Sequence, residues 1–556
     1  MRLPKIFLFV LLGSALFLAG FKVAQDIAID ANDVKGAQRI LDLNFDDDEI
    51  KQLLPNLNRN LIGTQELHAY EIDNSVPPVL WFNPPKGGKP IPTKQEMIDW
   101  GFPGHVELPS NKNDLAFYTV SQLSVLIRDK KISSVELTKF FLDRLQTYGD
   151  TLKSVISLTS ERAMASAKRA DELLAKGTYL GPLHGIPYGA KDLLSVPNYK
   201  TTWGAVPYKE QNRGDELGTV IKKLDEAGAV LVAKLTLGAL AMGDVWYGGT
   251  TKNPWDLQQG SSGSSAGSGS STSAGLVPFA IGTETLGSIV SPSTRNGVTG
   301  LRPTFGRVSR AGAMALSWSM DKIGPMARNA FDCALVFDAI RGTDDIDLTV
   351  EDHPFNYKGT ADLSQLRVGY LKDFFDNNRR NNRAQDSTVL EVLKSLGADL
   401  QPVEWVSDMP FPGMQSILMA EAAAAFDALT RSDQDSLLTR QNAGAWPNLF
   451  RSARFTSAVD YINANRARYD LVMKVNALMK DYDVIVTPSF GGSQLLTTNL
   501  TGHPCVVLKN GYDGRGRPTS ISFIGNLFDE ATILAVARAY QEATDFDEQH
   551  PPMFLN

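Results

Sequence analysis

Two residues of this chain have types and settings from which bond-breaking chemistry is built. Lys191 nearly closes residues 183–192, LHGIPYGAKD, at the end of a small and apolar run. Ser288 sits in residues 282–289, GTETLGSI, a Gly/Thr turn directly behind the apolar residues 276–281. A serine hydroxyl becomes a nucleophile when a neighbour takes its proton. Lysine rarely occupies apolar surroundings without a partner. At this level Lys191 keeps a second reading, an ion pair with its neighbour Asp192 at a surface turn. Between the two lies a Gly/Ser run, GSSGSSAGSGSSTSAG, over residues 260–275. Such composition by default means a flexible linker. Its flanks, Trp255 on one side and LVPFAI on the other, contradict that, because small residues also let backbones approach closely around a site.

Other patterns carry less. Gly263-x-Ser265-x-Gly267 has the spacing of a nucleophile elbow, but a Gly/Ser run produces it by chance, and residues 256–259 (DLQQ) are not the apolar strand an elbow follows. Ser319-x-x-Lys322 lacks the companion motifs of the penicillin-recognising enzymes. No phosphate loop is present. The six histidines are scattered singly and no CxxC exists, so neither a metal nor an organic cofactor is expected. The 556 residues carry 55 Lys+Arg against 62 Asp+Glu, net −7, which gives no basic surplus for nucleic-acid phosphates. Two cysteines, Cys333 and Cys505, exclude a disulfide scaffold.

The elements that must position these residues alternate helix, glycine and strand. Ser133 and Glu136 form a capping box ahead of a helix with Leu137, Phe140, Phe141 and Leu145 on one face. Residues 159–176 read as a helix ended by Gly177. Residues 219–227 read as a helix stopped by Gly228, then a buried strand at 230–233. Helix 388–396 with Gly397, strands 367–371, 483–486, 505–508 and 520–523, and a closing helix 531–542 continue the pattern. This alternation predicts an α/β fold with a largely covered sheet. Residues 342–362 resemble a linker. Residues 26–114 read as irregular, with a short helix begun by the acidic residues 46–49 and a proline-rich extended segment at 75–92, the whole a strap rather than a catalytic unit. Arg2 and Lys5 precede an apolar run at 6–21, the layout of a secretory signal peptide. Its sixteen residues are short against the roughly 20 of a spanning helix. Export to the periplasm or medium is expected, with cleavage or retention as an N-terminal membrane tether both open.

The motifs together closely resemble the amidase signature family. Residues 262–268 (SGSSAGS) and 282–289 match its Gly/Ser and GTDTGGSI blocks, residues 183–192 its LHGIPxxxKD block. Residues 297–309, 324–328 and 499–504 follow in the family order. The resemblance covers about 118–542. It implies an α/β amidase-signature fold, a mixed central sheet surrounded by helices. The implied division is 1–24 as signal or anchor, 25–115 as an extension packed on the core, 116–545 as catalytic domain and 546–556 as tail. It implies a Ser–cis-Ser–Lys set with Ser288 as nucleophile, Ser264 as bridging serine in a cis peptide and Lys191 as base. The N–H groups of Thr285, Leu286, Gly287 and Ser288 would form an oxyanion hole. The implied activity is hydrolysis of a carboxylic amide, small-molecule or peptide, without cofactor.

Five departures bear on substrate. Glu284 replaces an aspartate, Leu286 a glycine, Val290 a frequent arginine, and Ser262 and Ala266 each a glycine of the Gly/Ser block. Together they imply an apolar or neutral substrate, and the Glu284/Val290 pattern is similar to members that deaminate C-terminal peptide amides. Residues 408–469, with Phe411, Met414, Met419, Trp446, Phe450, Phe455 and Tyr461, match least. They read as core, and as the place for a substrate lid if there is one. Two other readings share these motifs: the glutaminase subunit of a tRNA-dependent amidotransferase, and a catalytically silent binding protein.

Overall fold

Glycine punctuation organises the sheet as the sequence implies. Gly228, at φ +80°, ends the helix Thr219–Glu226, and strand Val230–Leu235 starts two residues later. Glycine takes this left-handed conformation without a Cβ clash, so the chain can reverse there. The computed structural model describes residues 29–69, 72–78, 80, 82–376 and 382–555. The apolar run 6–21 lies outside them. Two units emerge: the residues up to Asp73 with Arg454–Ala458, and a large unit of Asn74–Ala453 with Val459–Asn556.

The large unit is built on one eleven-stranded sheet. We number its strands β1 Val155–Leu158, β2 Pro187–Lys191, β3 Val230–Leu235, β4 Phe279–Glu284, β5 Thr299–Arg302, β6 Lys322–Ala327, β7 Arg367–Leu371, β8 Asp399–Val403, β9 Val484–Pro488, β10 Cys505–Tyr512 and β11 Pro518–Gly525. Their spatial order is β1-β3-β2-β4-β6-β5-β10-β11-β9-β7-β8. β2 runs parallel to β3 and β4, β7 parallel to β8 and β9, and the remaining pairs are antiparallel. The sheet is therefore mixed. Every residue of β2, β3, β4, β6, β9 and β11 is buried, as expected where helices cover both faces. The edge strands β1 and β8 are only partly covered.

The Gly/Ser run is not a linker. Residues Ala266–Ser273 form a helix that is buried along its whole length. Its hydroxyls are spent on neighbouring backbone: Ser268 donates to Ile281 O at 2.9 Å, Ser270 to Lys252 O at 2.7 Å and Ser273 to Asn296 O at 2.6 Å. A Cβ on Gly267 would lie 2.4 Å from Thr236 N. Small residues are required because the neighbours leave no room for others.

Two further expectations change. The segment 342–362 is held in place, with Phe355 and Tyr357 buried and Asp347 in a two-pronged ion pair with Arg310 at 2.7 and 3.0 Å. The acidic residues 47–49 do open a helix, but it runs over Asp47–Ala69, 23 residues, past Pro55. Proline removes one N–H and here does not stop the helix. Residues 256–259 lie in the strand Asp256–Gly260, paired in a two-stranded hairpin with Lys252–Asn253, and that strand is polar and only partly covered rather than apolar. At the C-terminus Phe554 is buried and its carbonyl accepts a bond from Arg144 at 2.8 Å.

Candidate active site

β2 and β4 are parallel neighbours, Ala190 facing Ile281. Their C-terminal ends therefore open side by side, the first at Lys191 and the second at the turn that holds Ser288. Lys191 is fully buried. Its Nζ donates to Ser264 Oγ at 2.8 Å, Thr283 Oγ1 at 2.8 Å and Ser265 Oγ at 3.1 Å. The surface pairing with Asp192 is excluded: Asp192 instead meets Lys234 in a buried ion pair at 2.7 Å. Burial pushes the Lys191 amine down to about 7, against the opposing pull of the Asp321 and Glu284 carboxylates. A lysine there exchanges its proton near neutrality.

Ser264 follows a cis peptide bond, Gly263–Ser264. Gly263 is required by contact: a Cβ there would lie 1.9 Å from Gly243 O. Ser262, where the family block has glycine, takes φ +58° and donates its N–H to Asp244 at 2.9 Å. Ser265 N donates to Ser288 O at 3.2 Å, which ties the Gly/Ser loop to the serine turn.

The turn itself is shaped by Glu284. Its Oε2 accepts from Ile289 N at 2.8 Å and Val290 N at 2.9 Å, and so caps the helix Val290–Asn296. Its Oε1 meets Arg302 at 2.9 Å and Asn499 Nδ2 at 2.8 Å. Burial opposes ionisation of this carboxyl, but Arg302 and the donors outweigh it and hold the group down at about 2. The extra methylene relative to aspartate is thus absorbed by a complete set of partners. Among the described residues, no hydrogen bond within the protein takes the N–H groups of Thr285, Leu286, Gly287 or Ser288. Ser288 itself is 8% exposed.

A cleft adjoins this turn. Thr283, Thr285 and Asp321 border it, and its walls are apolar: Leu193, Met314, Leu316, Trp318 and Ile323 among them. None of its lining comes from residues 408–469, which the sequence read as core and as the place for a lid only if there is one. Met414, Trp446 and Phe450 of that region are core, the last two rings stacked at 4.8 Å. The cleft instead uses residues 74–78, 310–323 and 346–349. Val290 does not line it, and is buried with Cys505 and Val507. The apolar character next to the turn therefore comes from the cleft walls and not from the missing arginine.

Three members of the constellation escaped sequence reasoning: Thr283 and Ser265, which hold Lys191, and Asp321. Thr283 stood inside the GTETLGSI block, where its pairing with Lys191 depends on strand order. Ser265 is not placed as a nucleophile. Its Oγ is buried, accepts from Thr283 N and donates to Thr283 O, both at 3.0 Å. Ser319 and Lys322 form no Ser–Lys pair either. Ser319 Oγ is bound to Glu421 and Arg468, and Lys322 Nζ to Met320 O. Among the described residues, no cluster of three His, Cys, Asp or Glu side chains could hold a metal.

The mixed sheet thus brings together a buried lysine, a serine behind a cis peptide bond and the turn that holds Ser288. Residues 136–497 match the family model described as Amidase. The chain belongs to the amidase family, whose members hydrolyse C–N bonds. It is 34% identical over 488 residues to the A subunit of glutamyl-tRNA(Gln) amidotransferase from Coxiella burnetii, covering 78% of this chain and 99% of that one. The peptide amidase of Stenotrophomonas maltophilia superposes with a TM-score of 0.69 at 28% identity, over 77% of this chain and 97% of its own. An amidase family protein from Bacillus anthracis gives 0.70 at 25%, over 79% and 93%.

Proposed function

We propose that this protein is a free-standing amidase that hydrolyses a neutral, apolar carboxylic amide through an acyl-enzyme on Ser288. In this reading Ser288 Oγ attacks the amide carbonyl carbon while its proton passes through Ser264 to neutral Lys191. The N–H groups of residues 285–288 receive the oxyanion, and each such donor is typically worth about 10²–10³-fold in rate. The C–N bond breaks as Lys191 returns the proton, through Ser264, to the leaving nitrogen. Water then repeats the attack on the ester and frees Ser288. The observation that carries this reading is Lys191: buried, in no ion pair among the described residues, and 2.8 Å from Ser264. A fluorophosphonate probe should label Ser288, and Ser288→Ala should lose both labelling and turnover. Labelling that persists in Ser288→Ala would sink the mechanism, and no labelling at all would favour a silent binding protein.

The identity to the amidotransferase chain of Coxiella burnetii supports a second reading, a glutaminase subunit that works with partners. Purification from the native source decides between them. Co-purification of other subunits, with glutamine as the preferred amide, would replace the first reading with the second. For localisation we infer export from the Arg2/Lys5 flank and the apolar run 6–21. Recovery of the tagged full chain only as free cytosolic protein would contradict it.

A further inference from the structure

The cleft beside the catalytic turn is closed in part by residues that precede the stretch matching the amidase family model, which begins at 136. Asn74, Ser75, Pro77 and Pro78 lie on its wall. Asn74 fixes them there through both ends of its amide. Its Oδ1 accepts from Ala315 N at 2.8 Å, and its Nδ2 donates to Ala315 O at 3.0 Å and Ala425 O at 3.2 Å. An amide side chain that satisfies both backbone groups of one residue acts like one rung of a sheet. The rung falls on the cleft wall itself, since Ala315 lines the cavity with its neighbours Met314 and Leu316.

The mouth is apolar where water would favour polar groups. Pro77 and Pro78 are exposed there, as are Ile346 at 69% and Leu348 at 65%. Exposed apolar side chains gathered around an apolar cavity gain most when an apolar group covers them. The two prolines have fixed φ and lose little freedom when a ligand settles against them.

We propose that residues 74–78 are a specificity wall, latched by Asn74, that selects amides bearing a long apolar group at this site. The proposal rests on the amidase reading above and adds to it the substrate class and the segment that sets it. Deep burial of each added methylene raises kcat/KM by up to about fourfold.

The test uses the full-length protein and two homologous series, primary amides from acetamide to decanamide and N-alkylacetamides of matching length. In one series kcat/KM should rise two- to fourfold per methylene over several steps. Asn74→Ala should flatten that slope, with a loss under about threefold for acetamide and over 30-fold for decanamide. Pro77→Gly/Pro78→Gly, which keeps the latch and removes the rings, should flatten it in the same direction, and serves if Asn74→Ala does not fold. Slopes near one in both series, with acetamide turned over and Ser288 labelled, would overturn this proposal and leave the amidase reading standing. A steep slope that neither variant changes would also overturn it. Failure of every amide, with no labelling of Ser288, would remove both.

Discussion

Thr285 donates its hydroxyl to Asp321 Oδ1 at 2.6 Å, while Asp321 Oδ2 accepts from Leu316 N at 2.8 Å and Ser317 N at 3.0 Å. One half-buried carboxylate thus fastens the first residue of the serine turn to the wall of the cleft. Asp321 also stands close enough to Lys191 to favour its charged form.

Asp321→Asn should act on both counts. The new amide can keep its oxygen on Leu316 N and Ser317 N only by turning its N–H to the Thr285 hydroxyl, which must then accept, so a charge-assisted bond that holds the turn becomes a weaker neutral one. Loosening of the turn should lower kcat more than it raises KM, up to the roughly 10²–10³-fold of a lost oxyanion donor. The pH–rate profile adds a sign. Activity should rise with pH as Lys191 loses its proton, half-maximal near 7 in the wild type. Removal of a carboxylate that raises the Lys191 pKa should move that midpoint to lower pH. A midpoint unchanged or moved upward in steady-state profiles would refute the coupling.

Ser264→Ala should cost about 10²–10⁴-fold in kcat, the usual span for a proton-transfer group, and should leave some labelling of Ser288 by a reactive probe. Ser265→Ala should instead lower stability, because it releases both backbone groups of Thr283. Thermal melting together with labelling separates the two serines.

Glu284→Gln should destabilise the protein by about 3–5 kcal/mol, because Arg302 would be left buried without its counter-charge. The pH dependence follows. The folded pKa of Glu284 lies near 2, below the ordinary 4.5, so its contribution is complete above 4.5 and is lost as pH falls through 2. Urea titrations at several pH values should show the wild type losing stability over that window more steeply than Glu284→Gln.

Gly263→Ala should abolish activity even where the chain still folds. Its methyl would collide with Gly243 O, and relief requires moving the backbone that presents Ser264 to Lys191. Full activity in this variant would mean that Ser264 is not held as described.

Much of this was legible in the sequence, for reasons that differ by element. β3 and β7 could be read because their apolar runs are bounded by glycine and polar turns. Lys191 could be singled out because a charge at the end of such a run is costly without partners. Asp321 could not be found this way. It reaches Thr285 only because β6 pairs with β4 across the antiparallel register Lys322↔Glu284, and register is not written in either segment alone. The segment 74–78 reads from sequence only as part of a strap, its role left open, because a proline-rich stretch has no periodicity to show which face it covers. The Ala266–Ser273 helix runs against propensity and is implied only by the family resemblance, which places a short small-residue helix there, since helices in proteins draw most of their stability from tertiary packing.

That buried helix has a practical consequence. A stretch of glycine and serine is where one would cut a chain or splice in a reporter, since small polar residues usually mark accessible tips. Here the same composition gives an enclosed backbone beside the site, with its hydroxyls tied to neighbouring strands and loops. A protease acting on the native protein should pass over residues 260–275 and open the chain elsewhere. A domain inserted there should destroy the fold rather than decorate it.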